Sequence, residues 1–592
     1  MPAQARRAAL FAFLLLALAA AAFAADPSQD VDLQWGVRVP MRDGVELAAT
    51  VYQPHGQKEP LPVVFTLTPY IADSYQDRAL YFARHGYVYA LVDVRGRGNS
   101  GGEFDPFAQE ARDGHDVVEW LARQPWSNGK VAMWGGSYAG YDQWATAKEL
   151  PPHLVTIVPA ASAHPGVDFP FAKNIFYSYD MQWLTYTSGR AKNVGLFNEG
   201  SFWGQKFREA FLSDRPFREL DRLVGNPSPV FQRWLAHPTA DDFWKAMNPT
   251  PEQLAKIDLP ILTITGHYDG DQIGALTYYR DHLRYASPAA RDRHYLIIGP
   301  WDHAGTRTPN AQVGGLTFGE ASVLDLNDLH RQWYDWTMKG GPKPAFLEKR
   351  VSYYVVGSGG ENWKRADSLE QIGAERRAFY LGSGTGGAGD AFHSGGLSNQ
   401  KPKTASGPDR WVYDPRDLRP AALLDDETQG YIVSQQAALN LLGNGVVYHS
   451  EPFAEATEVS GQVKLSLWMS LDVPDTDFKA DLYEILPDGR SVLLASDGLR
   501  ARYRTSLEKE TLVPPGEILR YDFDGFTWFS RRVSRGSRLR LVVSSPNAPG
   551  FQKNYNSGGV VADETPKDAR TAHVSVYHDA DHPSVLEIPV VP

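Results

Sequence analysis

Six stretches of this chain are apolar without alternation: LPVVFTLTPY from Leu61, YVYALVDVRG from Tyr87, VAMWGG from Val131, LVTIVPA from Leu154, LPILTITG from Leu259 and RHYLIIGP from Arg293. Such runs fit strands buried on both faces of a sheet. Between them lie helix-compatible segments such as ARDGHDVVEWLARQPW from Ala111. Strands alternating with helices predict a largely parallel sheet covered on both sides. Ahead of them, VRVPMRDGVELAATVYQP from Val37 reads as two strands about the Asp43-Gly44 turn, the signature of a hairpin. One more helix is expected near LNDLHRQWYDWTMKG, from Leu326.

Two intervals break that rhythm. From about Phe169 to Lys256 the chain is rich in aromatics and charges and has no clear buried strand, which predicts a helical cap inserted over the sheet. After Gly340, a Gly-rich stretch, GSGTGGAGDAFHSGG, separates two sections dense in strand-like runs, among them GQVKLSLWMSLD, DFKADLYEIL and SRLRLVVSSP. No helix-period segment of comparable length intervenes, so the last third is expected to be a β-sandwich of the jelly-roll kind. The expected organisation is therefore a leader over 1–24, an α/β domain over 25–168 and 257–350, the cap over 169–256, and the sandwich with its Gly-rich linker over 351–592.

Composition narrows the function classes. With 592 residues and 43% hydrophobic content the chain can bury large cores, and its length suits two or three domains. Against 59 basic residues stand 70 acidic ones, for a net charge of -11, and no basic run interleaves with aromatics. Nucleic acid is not an expected partner. The chain contains no cysteine, which excludes disulfides, thiol catalysis, cysteine-ligated zinc and a lipidated N-terminal cysteine.

Arg6 and Arg7 precede an apolar run from Ala8 to about Ala21, followed by Ala22-Phe23-Ala24, the small-x-small pattern of a signal-peptidase site. This Ala-rich run is shorter than the roughly 20 residues that span a bilayer. A cleaved signal, a mature chain beginning near Ala25, a periplasmic or secreted location and no stable membrane anchor are the expectations.

The candidate chemistry centres on VAMWGGSYAGYDQW, where Gly135-Gly136-Ser137-Tyr138-Ala139-Gly140 lies between an apolar strand and a helix-compatible segment. A nucleophile elbow needs that context, because its serine sits on a strained turn where neighbouring bulk would clash. Ala139 replaces the second glycine of G-x-S-x-G, with Gly140 one place later. Specificity must then come from partners. In α/β-hydrolases the acid and the histidine follow the serine, each after a later strand of the parallel sheet. LPILTITGHYDGDQ delivers Asp269 just past one buried run, and RHYLIIGPWDHAG delivers His303 just past the next. A turn-forming Asp or a loop His would be unremarkable alone; three such residues in this order at these strand ends point to a catalytic triad.

At these motifs the chain resembles the CocE/NonD hydrolases, the superfamily of cocaine esterase, X-prolyl dipeptidyl-peptidases and α-amino-acid ester hydrolases. The resemblance covers nearly all of the mature chain and rests on RDGVELAATVY, TLTPY, DVRGRGNSGGEF, the run from Asp113 to Gly140, GHYDG, GPWDHAG, VVYHSEPF and DTDFKADLYEILPDG. In that family G-x-S-Y-x-G is the normal elbow. The resemblance implies an α/β-hydrolase fold with a C-terminal jelly roll, Ser137 as nucleophile, His303 as base and Asp269 as orienting acid. It also implies oxyanion donors from the Tyr70 hydroxyl and the Tyr138 backbone N–H. Such donors act where charge gathers on the former carbonyl oxygen.

Family members that act on α-amino-acid esters hold the substrate ammonium with three carboxylates. Asp168 in GVDFPF and Asp271 in HYDGDQIGA fall near two of those places, and Gln272 stands where a third is expected. Two other features persuade less. DVRGRGNSGG lacks the G-x-x-x-x-G-K of a phosphate loop, and its Asp93 and Arg95 are expected to organise the neighbouring loop by hydrogen bonding. His578-Asp579-Ala580-Asp581-His582 is read as a solvated turn, so no metal is assigned, and no cofactor is called for.

The leading expectation is an exported acyl hydrolase of small esters or amides. An amino-terminal variant acting on α-amino esters or Xaa-Pro peptides is the alternative, separable by paired substrates with and without a free amino group. From another class, a vestigial hydrolase binding carbohydrate or a surface through its jelly roll would fail to react with a serine-directed fluorophosphonate. The sandwich surfaces leave room for self-association into a homo-oligomer.

Overall fold

The computed structural model describes residues 30–357, 363–384, 387–420, 431–546 and 548–592. The expected signal segment and Ala25 lie outside them. The first sheet has ten strands: β1 (Val31–Pro40), β2 (Glu46–Pro54), β3 (Leu61–Thr68), β4 (Val88–Asp93), β5 (Ser127–Gly136), β6 (Leu154–Ala160), β7 (Ile261–Tyr268), β8 (His294–Asp302), β9 (Val351–Tyr354) and β10 (Trp363–Ala366). In space they run β1-β2-β4-β3-β5-β6-β7-β8-β9-β10. From β4 through β9 every pairing is parallel, and antiparallel pairs close both ends.

Burial on both faces is visible in β3. Val63, Phe65 and Leu67 join a core with Val117, Val118 and Leu121 of the helix Glu110–Ala122, whereas Val64 joins a second core with Phe82 and Trp333 on the other face. No side of such a strand meets water, which is why its sequence does not alternate. Val351–Tyr354 and Trp363–Ala366, assigned by sequence to the second domain, hydrogen-bond into this first sheet. A run as short as VSYY carries no mark of which sheet it will join.

Between β6 and β7 the chain adds no strand to the main sheet. It forms short helices, chiefly Tyr179–Tyr186, Gly200–Leu212 and Pro229–Leu235, with a two-stranded hairpin at Phe171–Ala172 and Ile175–Phe176. Their aromatics, including Phe169, Trp183, Trp234 and Trp244, close over Phe107, Tyr138 and Tyr141 as one apolar cluster. Arg97, fully buried, fastens this layer down by donating to carbonyls of Pro69, Ser188, Gly189 and Ala191.

Among the described residues the C-terminal part is a 14-stranded assembly folded about a large apolar core, a β-sandwich of the jelly-roll type. Asp477–Ile485 pairs antiparallel with both Ser491–Arg500 and Arg538–Ser544. Several buried contacts hold this part to the first, among them Ser178 Oγ donating to the Pro549 carbonyl. Arg500 pairs with Asp477 and donates to the Asn174 carbonyl, and Gln272 meets the backbone of Trp528. The expected solvated turn at 578–582 is half right. His578 is buried, 3.1 Å from Asp409, because the end of the strand Ala572–Tyr577 carries it inside. Among the described residues no group of three or more His, Cys, Asp or Glu could hold a metal ion.

Candidate active site

Ser137 caps the helix Tyr138–Lys148 immediately after β5, with φ 63° and ψ -127°. A non-glycine residue in that region is strained and persists only where its surroundings enforce it. The enforcement is visible: a Cβ on Gly140 would lie 2.7 Å from the Ala160 carbonyl oxygen, and one on Gly136 would lie 2.5 Å from Cδ of Arg307. Close approach to β6 is thus made by Gly140, and Ala139 is accommodated because its own Cβ faces bare Gly135.

The Tyr70 hydroxyl lies 3.2 Å from Ser137 Oγ and accepts a hydrogen bond from Trp183 Nε1 at 3.1 Å. With the indole filling its acceptor side, the phenol is left to donate. Burial pushes the Tyr70 phenol well above its ordinary value, outweighing the opposite pull of Ser137 and Trp183, so it keeps its proton. Tyr138 opens its helix, so its amide is among the N–H groups with no intrahelical acceptor. The Tyr138 hydroxyl points away from Ser137's oxygen, donating to Glu110 at 2.5 Å and accepting from the Phe107 amide at 2.6 Å.

Asp269 follows β7, and His303 follows β8. Nδ1 of His303 is 2.8 Å from Oδ1 of Asp269, whose other oxygen accepts from Thr265 Oγ1 at 2.8 Å. Nδ1 of His303 is also 3.8 Å from Asp271 Oδ2. Burial alone would lower the His303 pKa; the charge on Asp271, with the hydrogen bond and charge of Asp269, overcomes burial and Arg307, and the net shift is upward. Ser137 and His303 line one cavity of about 220 Å³. No direct hydrogen bond joins them, and Ser137 Oγ faces Tyr70; catalytic bonds of this kind commonly tighten only around substrate.

Most of the other walls of the cavity are aromatic, from Phe107, Phe169, Tyr179 and Trp183, with Ala163, Gly270 and Asp271 among the rest. Sequence reasoning did not find these aromatics, since neither Phe107, in the loop before the helix Glu110–Ala122, nor an aromatic of the cap interval has a spacing that marks it. Glu110 was equally hidden: within a helix of mixed charges nothing distinguishes a buried carboxyl, yet this one is pushed by burial up to about 7.

Asp271 lines the cavity and Asp168 does not. The two oxygens of Asp168 accept from the amides of His164, at 2.8 Å, and Gly274, at 2.6 Å, which ties the loop after β6 to the helix Gln272–Tyr285. Gln272 donates to the carbonyls of Gly266 and Trp528 and accepts from the Trp528 amide. Burial raises both Asp168 and Asp271; the charge of Asp269 adds to the rise at Asp168, and those of Asp168 and Asp269 add to the rise at Asp271. Asp93 and Arg95 do organise their loop: Asp93 accepts from the Ala72 amide, and Arg95 pairs with Asp113 and Asp43.

Residues 43–305 match the X-Pro dipeptidyl-peptidase (S15 family), and residues 345–587 match the X-Pro dipeptidyl-peptidase C-terminal non-catalytic domain. A cocaine esterase of Rhodococcus sp. (strain MB1 Bresler) is 30% identical over 590 residues, covering 94% of this chain and 98% of its own. An aminopeptidase from a marine sediment Thaumarchaeota archaeon superposes with a TM-score of 0.82 at 24% identity, covering 96% of this chain and 98% of its own. An α-amino acid ester hydrolase superposes with a TM-score of 0.81 at 22% identity and the same coverage; both likenesses concern the fold.

Proposed function

The chain belongs to the CocE/NonD superfamily of serine hydrolases, and on that footing we propose that it hydrolyses small esters, with amides as slower substrates, through an acyl-enzyme on Ser137. The observation that carries this reading is the convergence of Ser137, the Tyr70 hydroxyl and the His303–Asp269 pair on one small aromatic-walled cavity. His303 takes the proton from Ser137 as its oxygen attacks the carbonyl, and returns it to the leaving group. Asp269 fixes the imidazole tautomer through Nδ1, leaving Nε2 to act. The Tyr70 hydroxyl and the Tyr138 amide receive the charge on the carbonyl oxygen. Water then repeats the sequence to release the acid.

Flat apolar acyl groups suit walls of Phe107, Phe169 and Trp183. A free α-amino group is not required in this reading, because the Asp168 oxygens already accept backbone amides and position 272 is a Gln tied to Trp528. The amino-terminal alternative retains one supporting observation: Asp271 lines the cavity and could pair with an ammonium. Export follows from the Arg6-Arg7 leader pattern and its Ala22-Phe23-Ala24 site. No helix among the described residues is long and apolar enough to cross a membrane.

The test is turnover of p-nitrophenyl esters, α-amino esters and Xaa-Pro amides by wild type and Ser137→Ala. Ester turnover without an amino-group preference, lost by roughly 10⁴-fold or more in the variant, is expected. A strict preference for free amines would transfer the assignment to the alternative. Equal activity in both proteins would remove Ser137 from the mechanism.

A further inference from the structure

A second pocket, of about 460 Å³, opens on another side of the elbow, with Arg78, Arg307 and Trp134 among its walls and Ser74, Thr308 and Asn327 around them. Arg78 is only 9% exposed. Its guanidinium stacks 3.5 Å over the Trp134 ring and donates to Nδ1 of His330 at 2.9 Å, an imidazole that burial, then Arg78, keeps neutral. Among the described residues neither Arg78 nor Arg307 forms an ion pair with a carboxylate, and the Arg307 guanidinium makes no hydrogen bond. Two further buried polar atoms in the walls, Trp134 Nε1 and Asn327 Oδ1, also lack partners.

No nearby carboxylate pairs with these charges: the Asp271 carboxyl feels the charge of Arg307 but, among the described residues, makes no ion pair with it. Asp77 and Asp325 are exposed at the rim, and Asp325 is committed to capping the helix Leu326–Lys339 through the Asp328 amide. Burial pulls Arg78 down to about 10, so it remains a cation at neutral pH. A desolvated guanidinium with unfilled N–H groups is costly unless an acceptor oxygen meets it, and its planar fork matches carboxylate and phosphate oxygens. We propose that this pocket binds a small oxyanion, a carboxylate or a phosphate-type group, between Arg78 and Arg307, and that its occupancy tunes the candidate triad through Arg307.

The coupling is geometric. Nη1 of Arg307 lies 2.8 Å from where a Cβ of Gly136 would stand, beside the residue that precedes Ser137. His303 faces Asp269 and Asp271 from the loop after β7 and Arg307 from its own loop, with Tyr70 and Tyr179 across the cavity. Arg307 opposes protonation of His303. An anion on Arg307 cancels that influence and makes His303 a stronger base, so the acid limb of activity moves to higher pH. This second half rests on the reading of Ser137 and His303 given above; the binding half does not.

Calorimetric titration of the whole protein with inorganic phosphate and with acetate, against chloride at constant ionic strength, tests the site. Millimolar binding of at least one anion, weakened tenfold or more in Arg307→Gln, is expected, and which anion binds identifies the group. Absence of binding, or equal binding by Arg307→Gln, overturns the proposal. Arg78→Met is a second variant, and Arg307→Gln decides alone if that protein fails to fold. The pH dependence of Ser137 labelling by a fluorophosphonate, with and without the bound anion, reads the coupling: an upward shift of roughly half to one pH unit is expected. An unmoved limb in the presence of binding overturns the tuning. Failure of wild type to label at any pH refutes the triad reading instead, while the titration still decides the pocket.

Discussion

Tyr70 shows how much a single side chain can be asked to do. In the proposed mechanism its hydroxyl must stay protonated, point at Ser137 and resist rotation; burial secures the first, and the hydrogen bond from Trp183 with stacking on Tyr186 secures the others. Tyr70→Phe keeps the ring and removes only the donor, so kcat is expected to fall about 10²-fold with little change in KM, checked by steady-state ester kinetics. His303 gives a pH prediction of definite sign. As the proposed base it acts only when neutral, so its raised pKa places the expected acid limb of kcat/KM above the ordinary histidine value. Asp271 is the largest influence raising it, and Asp271→Asn should move that limb to lower pH; a limb that stays or rises would contradict the assignment.

At the scale of elements, the elbow depends on how closely the helix Tyr138–Lys148 approaches β6. The Gly140 position is bounded by backbone, the Ala160 carbonyl, which cannot rotate away. Gly140→Ala is therefore expected to push the helix out, lowering Tm and abolishing fluorophosphonate labelling together, whereas a substitution at Gly200, where a Cβ meets nothing within 4 Å, should do neither. The elbow motif was legible in sequence because strand, strained turn and helix each leave local marks. Trp183 and Phe107 were not legible, because they meet at the cavity only through the packing of the cap on the loop before the helix Glu110–Ala122, and neither segment's sequence carries a regular period.

Across the whole molecule, the acid loop after β7 and the sandwich are joined through Gln272, whose amide satisfies both the N–H and the C=O of Trp528. Gln272→Ala leaves those buried groups unpaired, at about 1–3 kcal/mol each, and a lower unfolding midpoint in urea together with reduced turnover is the expected result. By itself the sequence determined the α/β class, the sandwich behind it and the order Ser137, Asp269, His303, because strand burial and turn chemistry are written in neighbouring residues. Tertiary structure decided the rest. Which sheet takes Val351–Tyr354, that Asp168 serves backbone amides rather than the cavity, that Gln272 bridges two domains, and that Arg78 and Arg307 face one pocket all depend on partners distant in the chain. A side chain's chemistry follows from what surrounds it, and those surroundings exist only once the sheets have packed.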